Sequence, residues 1–453
     1  MSSRKKIQGK VRGVLKGIRY DDSIVRFRGE KIISSLRKIL GKDPSISYGL
    51  AIDAFYTMYL PYPIIISPSE VDNDLKMHYA LIKSIIYSRE LEKHKSLTIA
   101  DSCTSMIMAI SYLENLLLML EQLMDNQRSS NEQQLHNELM KGMQDKGGNL
   151  SQRPEVQKLI EELSNEALKR AVEDAKTAKK IKHLASGLMA GAGSELSFED
   201  RVHEVLKLAR SLDVRIILDI IGNIPKHSIR ARRRVVRHPK GELTGYEIGG
   251  DIERIVPTEI AAPDPLFKLK LAENKLLLYE KVLPEKWGPI YVVLDKSGSM
   301  EGEKILWAKA VSLALYIRAL KECRSFYLRF FDSLPYPLIK VTKRPKSSEA
   351  LKLIEYLAKV KGGGGTDITR AILTACNDVL RETSRSISDI ILITDGEDRI
   401  AEVSVKRAIS AANARLITVM IQGDNADLRR LSYKYFTAIK LNEEEILKII
   451  ELG

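Results

Sequence analysis

Asp295, Ser297 and Ser299 stand at alternate positions in the stretch YVVLDKSGSM, residues 291–300, where a β-branched apolar run ends. A strand-to-loop turn needs one polar residue and a glycine. Three oxygen-bearing side chains exceed that need. Two further stretches offer the same kind of atom: KGGGGTDIT sets Thr366 directly after four glycines, and ILITDGED sets Asp395 directly after a second apolar run. All five side chains supply hard oxygen, and none supplies nitrogen or sulfur. That donor set suits Mg²⁺, or Mn²⁺, which prefer near-octahedral oxygen coordination and keep some water. Two carboxylates and three neutral hydroxyls balance a divalent charge without saturating the ion, so a carboxylate from another molecule would be attracted. The glycines let the Thr366 loop approach without Cβ clashes. Each loop alone reads equally well as a strand-end turn or a linker; three loops sharing one donor chemistry do not.

The elements that position them follow from the pattern of apolar residues. From Ile290 onward, short β-branched runs (IYVVLD, SFYLRFFD, DIILITD, RLITVMIQG) alternate with helix-period stretches such as KILWAKAVSLALYIRAL, ALKLIEYLAKV and ITRAILTACNDVL. Continuous apolar strands separated by helices predict a doubly wound, mostly parallel α/β sheet covered on both faces. Such sheets bind ligands beyond the C-terminal ends of their strands, and Asp295 and Asp395 each follow a strand there. The first half carries apolar residues at three- and four-residue spacing and predicts an all-α region. Ser197 and Asp200 are candidate N-caps for the helix in FEDRVHEVLKLARSLDV. The polar stretch 125–154 separates two helical groups and reads as a mobile linker. Residues 227–265 open on a basic run, RARRRVVRHPK (Arg230 to Lys240), and end in turn residues and prolines. The expected organisation is a helical region over 1–226, a basic connecting segment over 227–285 and an α/β domain over 286–453.

Composition bounds the function classes. A chain of 453 residues exceeds one compact core, so more than one domain is expected. Lys and Arg number 72 against 59 Asp and Glu, a net charge of +13, which favours an anionic partner. Cys103, Cys323 and Cys376 form no CxxC, which speaks against a disulfide framework or zinc ribbon and for a reducing, cytoplasmic setting. The basic opening residues lack an apolar core of the secretory type. MIMAISYLENLLLMLEQLM (106–124) is strongly apolar, but Glu114, Asn115, Glu121 and Gln122 interrupt it. A buried helix rather than a membrane span is expected. The chain has no phosphate loop of the GxxxxGK[ST] form, no HExxH and no histidine close in sequence to Ser297 or Ser299. A non-enzymatic protein is the expectation. The alternative is a nucleic-acid-binding protein contacting phosphates through Arg230–Lys240, though no aromatic interleaving supports base stacking.

On these residues the C-terminal third resembles a von Willebrand factor A domain with its metal-ion-dependent adhesion site. The pattern DxSxS is met by Asp295-Lys296-Ser297-Gly298-Ser299, the family's threonine by Thr366 and its third-loop aspartate by Asp395. The resemblance implies that the hydroxyls touch Mg²⁺ directly, that the aspartates act through water, and that a partner's acidic residue completes the shell. The helical half, followed by GGDIERIVPTE, resembles the ViaA-like and CoxE-like proteins. That likeness implies an adaptor or stimulator working beside a MoxR-type AAA+ ATPase.

Overall fold

The computed structural model describes residues 11–125, 143–144, 154–186, 198–224, 235–284, 287–381, 386–396 and 398–452. Ser197, most of the polar stretch 125–154 and the arginines of Arg230–Arg234 lie outside them. The chain divides into two compact units, residues 1–220 with 345–360, and residues 221–344 with 361–453.

The first unit is helical: α1 (Ser23–Leu40), α2 (Tyr48–Tyr59), α3 (Lys76–Ile86), α4 (Arg89–His94), α5 (Ser102–Asp125), α6 (Pro154–Ser186), α7 (Val202–Ala209) and most of α8 (Leu212–Gly222). Local chemistry sets several boundaries. Asp22 caps α1 by accepting from the Ile24 and Val25 amides, and Gly41, at φ 70°, ends it; only a glycine adopts that left-handed cap without cost. Helix α7 starts without the expected cap. Arg201 occupies that position with no capping bond from its side chain, and Asp200 pairs with Lys31 at 2.8 Å. Helix α5 is long and apolar enough to cross a membrane, and its side chains from Cys103 to Leu117 are buried against the unit's other helices.

The second unit begins with β1 (Val235–Gly249), followed by α9 (Pro257–Ile260), α10 (Asp264–Ala272) and β2 (Leu276–Pro284). The segment read from sequence as a connector thus forms a two-stranded antiparallel sheet, β1 on β2. Its cross-strand apolar pairs are interrupted by register shifts at Arg237/Glu242 and Leu243/Gly245, and those shifts, with the basic run, blur the two-residue period in sequence.

The α/β part contains β3 (Ile290–Asp295), α11 (Glu303–Lys321), β4 (Phe326–Phe331), β5 (Ile339–Val341), α12 (Ser347–Lys359), α13 (Ile368–Leu380), β6 (Ser388–Thr394), α14 (Glu402–Ala411), β7 (Ala414–Ile421), α15 (Ala426–Leu431), β8 (Lys434–Ala438) and α16 (Glu443–Leu452). The sheet order is β5-β4-β3-β6-β7-β8, parallel throughout except for β5 at the edge. Every residue of β3 and β6 is buried, as expected for central strands covered on both faces. Tyr291 and Val293 face a core built with Ile368, Ile372 and Val405 from α13 and α14. The alternate residues face the side of α11, which packs on β3, β4 and α16. A doubly wound, mostly parallel α/β sheet preceded by a helical region is therefore present. Helix α12 is the exception to the layering: it belongs to the helical unit and packs on α6 and α7.

Candidate metal centre

Strand β3 ends in Asp295, whose side chain is fully buried. Its Oδ1 accepts the Ser297 amide at 2.8 Å, and its Oδ2 accepts Thr394 Oγ1 at 2.5 Å. From there the oxygens run on in sequence. Ser297 Oγ lies 3.1 Å from Ser299 Oγ, and Ser299 Oγ donates to Asp395 Oδ1 at 2.7 Å. Four of the five predicted donors therefore join in one hydrogen-bonded chain across the ends of β3 and β6, the two strands paired at the middle of the sheet.

Thr366 arrives on the glycine loop. That loop is fastened to the first by Gly363 N–H on the Lys296 carbonyl at 2.7 Å and by Gly298 N–H on the Gly364 carbonyl at 3.1 Å. Gly364 has φ 106°, and a Cβ there would fall 2.8 Å from Asp332 Oδ2; both facts demand glycine. The three loops meet at Gly396. A Cβ on Gly396 would lie 3.0 Å from Thr366 Cγ2, 3.3 Å from Thr394 Oγ1 and 3.6 Å from Asp295 Oδ2. The missing side chain leaves room between the Thr366 methyl and the oxygens of Thr394 and Asp295.

Charge is arranged in pairs around this space. Burial pushes the Asp295 carboxyl above the usual Asp range; bonds from Thr394 and Ser297 oppose the shift, while the neighbouring Asp395 adds to it. A carboxyl destabilised in this way gains from a nearby cation. Lys304, at the start of α11, places Nζ 2.6 Å from Asp395 Oδ2. Lys296 turns the other way, to Asp332 at 3.0 Å and the Gly363 carbonyl at 2.8 Å. Beside this pair a groove of about 420 Å³ is lined by Asp332, Leu334, Pro335, Tyr336 and Gly365.

Sequence reading missed Thr394, Lys304 and Gly396. Thr394 could have been suspected as the last strand residue before Asp395. Lys304 carried a subtler signal, a cation in the first turn of a helix, where the dipole disfavours it.

The donors fit a small hard divalent ion on two counts. All are oxygens at loop ends, and the cradle at Gly396 would be filled by any Cβ. Among the described residues no group of three or more His, Cys, Asp or Glu side chains gathers for a metal, and this centre itself offers two carboxylates with three hydroxyls.

Comparison with known proteins agrees with the geometry of the sheet. Residues 288–433 match the family described as von Willebrand factor type A domain. An uncharacterized protein of Methanocaldococcus jannaschii is 26% identical over 97% of this chain and 99% of its own length. Regulatory protein ViaA of Edwardsiella ictaluri is 26% identical over 37% of this chain, and the match spans 39% of that protein. A solved von Willebrand factor type A protein from Catenulispora acidiphila is 18% identical, covering 37% of this chain and 43% of its own, with a TM-score of 0.29.

Proposed function

We propose, with a von Willebrand factor type A domain at residues 288–433 as the premise, that this chain is a Mg²⁺-dependent protein-interaction factor. In this reading it acts in the cytoplasm as adaptor or stimulator of a MoxR-type AAA+ ATPase and is not itself an enzyme. The observation that carries the reading is the hydrogen-bonded run Asp295–Ser297–Ser299–Asp395 closing on Thr366 at Gly396. Ser297, Ser299 and Thr366 would hold the ion by their hydroxyls, and Asp295 and Asp395 would hold its water. The bound ion supplies a Lewis-acidic point that a carboxylate on the partner can occupy. The chain's own residues do the remaining work. Thr394 and the Ser297 amide fix the Asp295 carboxylate, and the groove beside Asp332 and Tyr336 offers surface for residues flanking the partner's acid. The choice of an ATPase as partner is supported by the likeness to regulatory protein ViaA.

The test is capture of a purified MoxR-type ATPase by the full chain. Capture should occur in Mg²⁺, persist in Mn²⁺, fail in EDTA and fail for Asp295→Ala in Mg²⁺. Capture indifferent to EDTA and to Asp295→Ala would overturn metal-bridged docking. Salt-sensitive DNA binding without ATPase capture would replace the reading with the nucleic-acid one.

A further inference from the structure

Both oxygens of Asp395 are engaged within the chain. Ser299 Oγ donates to Oδ1 at 2.7 Å, and Lys304 Nζ donates to Oδ2 at 2.6 Å. The carboxylate side chain is 3% exposed and the lysine side chain 26%, so the contact is screened only in part. Lys304 is the second residue of α11, a helix of 19 residues, directly after Glu303. The first turn of a helix carries partial positive charge and favours an acid. Glu303 obeys that preference and Lys304 does not, so its position is offset by Asp395 and by nothing in the helix. Lys296, a second cation of these loops, is taken up by Asp332 at 3.0 Å.

The charge of the centre changes once Lys304 is counted. Asp295 and Asp395 contribute two negative charges and Lys304 returns one. A divalent ion added to these three groups leaves one positive charge in excess, close to the positive end of α11. Without the lysine the same ion would be neutralised by the two carboxylates alone.

We propose that Lys304 is a resident competitor cation. It occupies Asp395 when the ion is absent, weakens the binding of Mg²⁺ alone, and leaves the loaded centre one charge short of neutrality. The partner's carboxylate then supplies the missing charge, so ion and carboxylate bind as a coupled pair, each raising the affinity for the other by the same factor. This rests on the Mg²⁺ reading given above.

The experiment is calorimetric titration of the full chain with Mg²⁺, in chloride buffer and again at a fixed high acetate concentration. It uses wild type, Lys304→Met, Lys304→Arg and Asp295→Ala, with Mn²⁺ binding followed by electron paramagnetic resonance as a second readout. Removing a unit charge near the ion should tighten Mg²⁺ binding by about tenfold or more in Lys304→Met, the full Coulomb interaction being cut down by solvent around the part-exposed lysine. Lys304→Arg, which keeps the charge, should match wild type. Acetate should tighten Mg²⁺ binding in wild type more than in Lys304→Met. Equal or weaker Mg²⁺ binding by a folded Lys304→Met, with binding still abolished in Asp295→Ala, overturns the competitor role and leaves the ion site standing. Unaltered binding in Asp295→Ala, or no binding by any of the four proteins, overturns the site and the competitor together.

Discussion

Gly396 gives the residue-scale account its sharpest test. It is neither an acid nor a hydroxyl, yet a single methyl placed there would meet Thr366 Cγ2 at 3.0 Å. Gly396→Ala must push the Thr366 loop or the Asp395 turn outward by a few tenths of an ångström, and Gly396→Val by more. The expected result is a loss of Mg²⁺ affinity of about tenfold for Gly396→Ala, the equivalent of about 1.4 kcal/mol. The thermal midpoint should stay close to that of wild type, because the change falls on a loop outside the core. Titration calorimetry beside differential scanning calorimetry checks both halves; a collapsed midpoint would mean that Gly396 is structural. The five oxygen donors were legible in the sequence because hydroxyls and carboxylates at strand ends carry their chemistry in their names. Gly396, Thr394 and Lys304 were not, because each acts through a contact made only by folding: Lys304 meets Asp395 across 91 positions, and Thr394 meets Asp295 across 99.

The elements were legible wherever a period was clean and obscured wherever it was broken. The central strands are apolar throughout, and runs such as IYVVLD and DIILITD can be buried on both faces only in a covered parallel sheet. The strands β1 and β2 escaped, since bulges destroy the alternation that marks a strand. Helix α5 shows what its interrupting polar residues do. Glu114 receives both Nη1 and Nη2 of Arg210, at 2.7 and 2.9 Å, and Arg210 Nε reaches Asp174 on α6 at 2.8 Å. Ser111 and Arg215 complete the group around Asp174. Glu114 is thus the buried end of a partly exposed network that ties α5 and α6 to the end of α7. Arg210→Met would leave Glu114, only 5% exposed, without its counter-charge. Stripping the partner from a buried carboxylate is destabilising, and with Arg210 a third exposed about 2 kcal/mol is expected here. Urea unfolding followed by helix circular dichroism measures it. The double variant Arg210→Met, Glu114→Leu should recover most of the loss; failure to recover would show that the arginine matters for packing and not for charge.

At the scale of the whole molecule, the two units do not correspond to two halves of the chain. Residues 345–360 return to the helical unit from within the α/β sequence. Helix α12 was predictable as a helix, because Leu351, Ile354 and Leu357 recur at helical spacing and are buried. Its allegiance was not predictable, since a period reports that an apolar face exists and not which neighbour covers it. A fragment of residues 286–453 carries α12 without the α6 and α7 helices on which it packs. That fragment should expose the α12 face and self-associate, as read by light scattering, while Leu351→Glu with Ile354→Glu should keep it monomeric. A monomeric wild-type fragment would show that α12 finds cover without the helical unit. The same routing bears on inheritance. The backbone passes between units three times, after residues 220, 344 and 360, so no single crossover in a gene can trade one unit for another. A crossover after residue 220 or 344 parts α12 from its own helices, and one after residue 360 splits the α/β unit instead. By single crossovers, then, neither the helical unit nor the α/β unit of this protein can be exchanged with its packing intact.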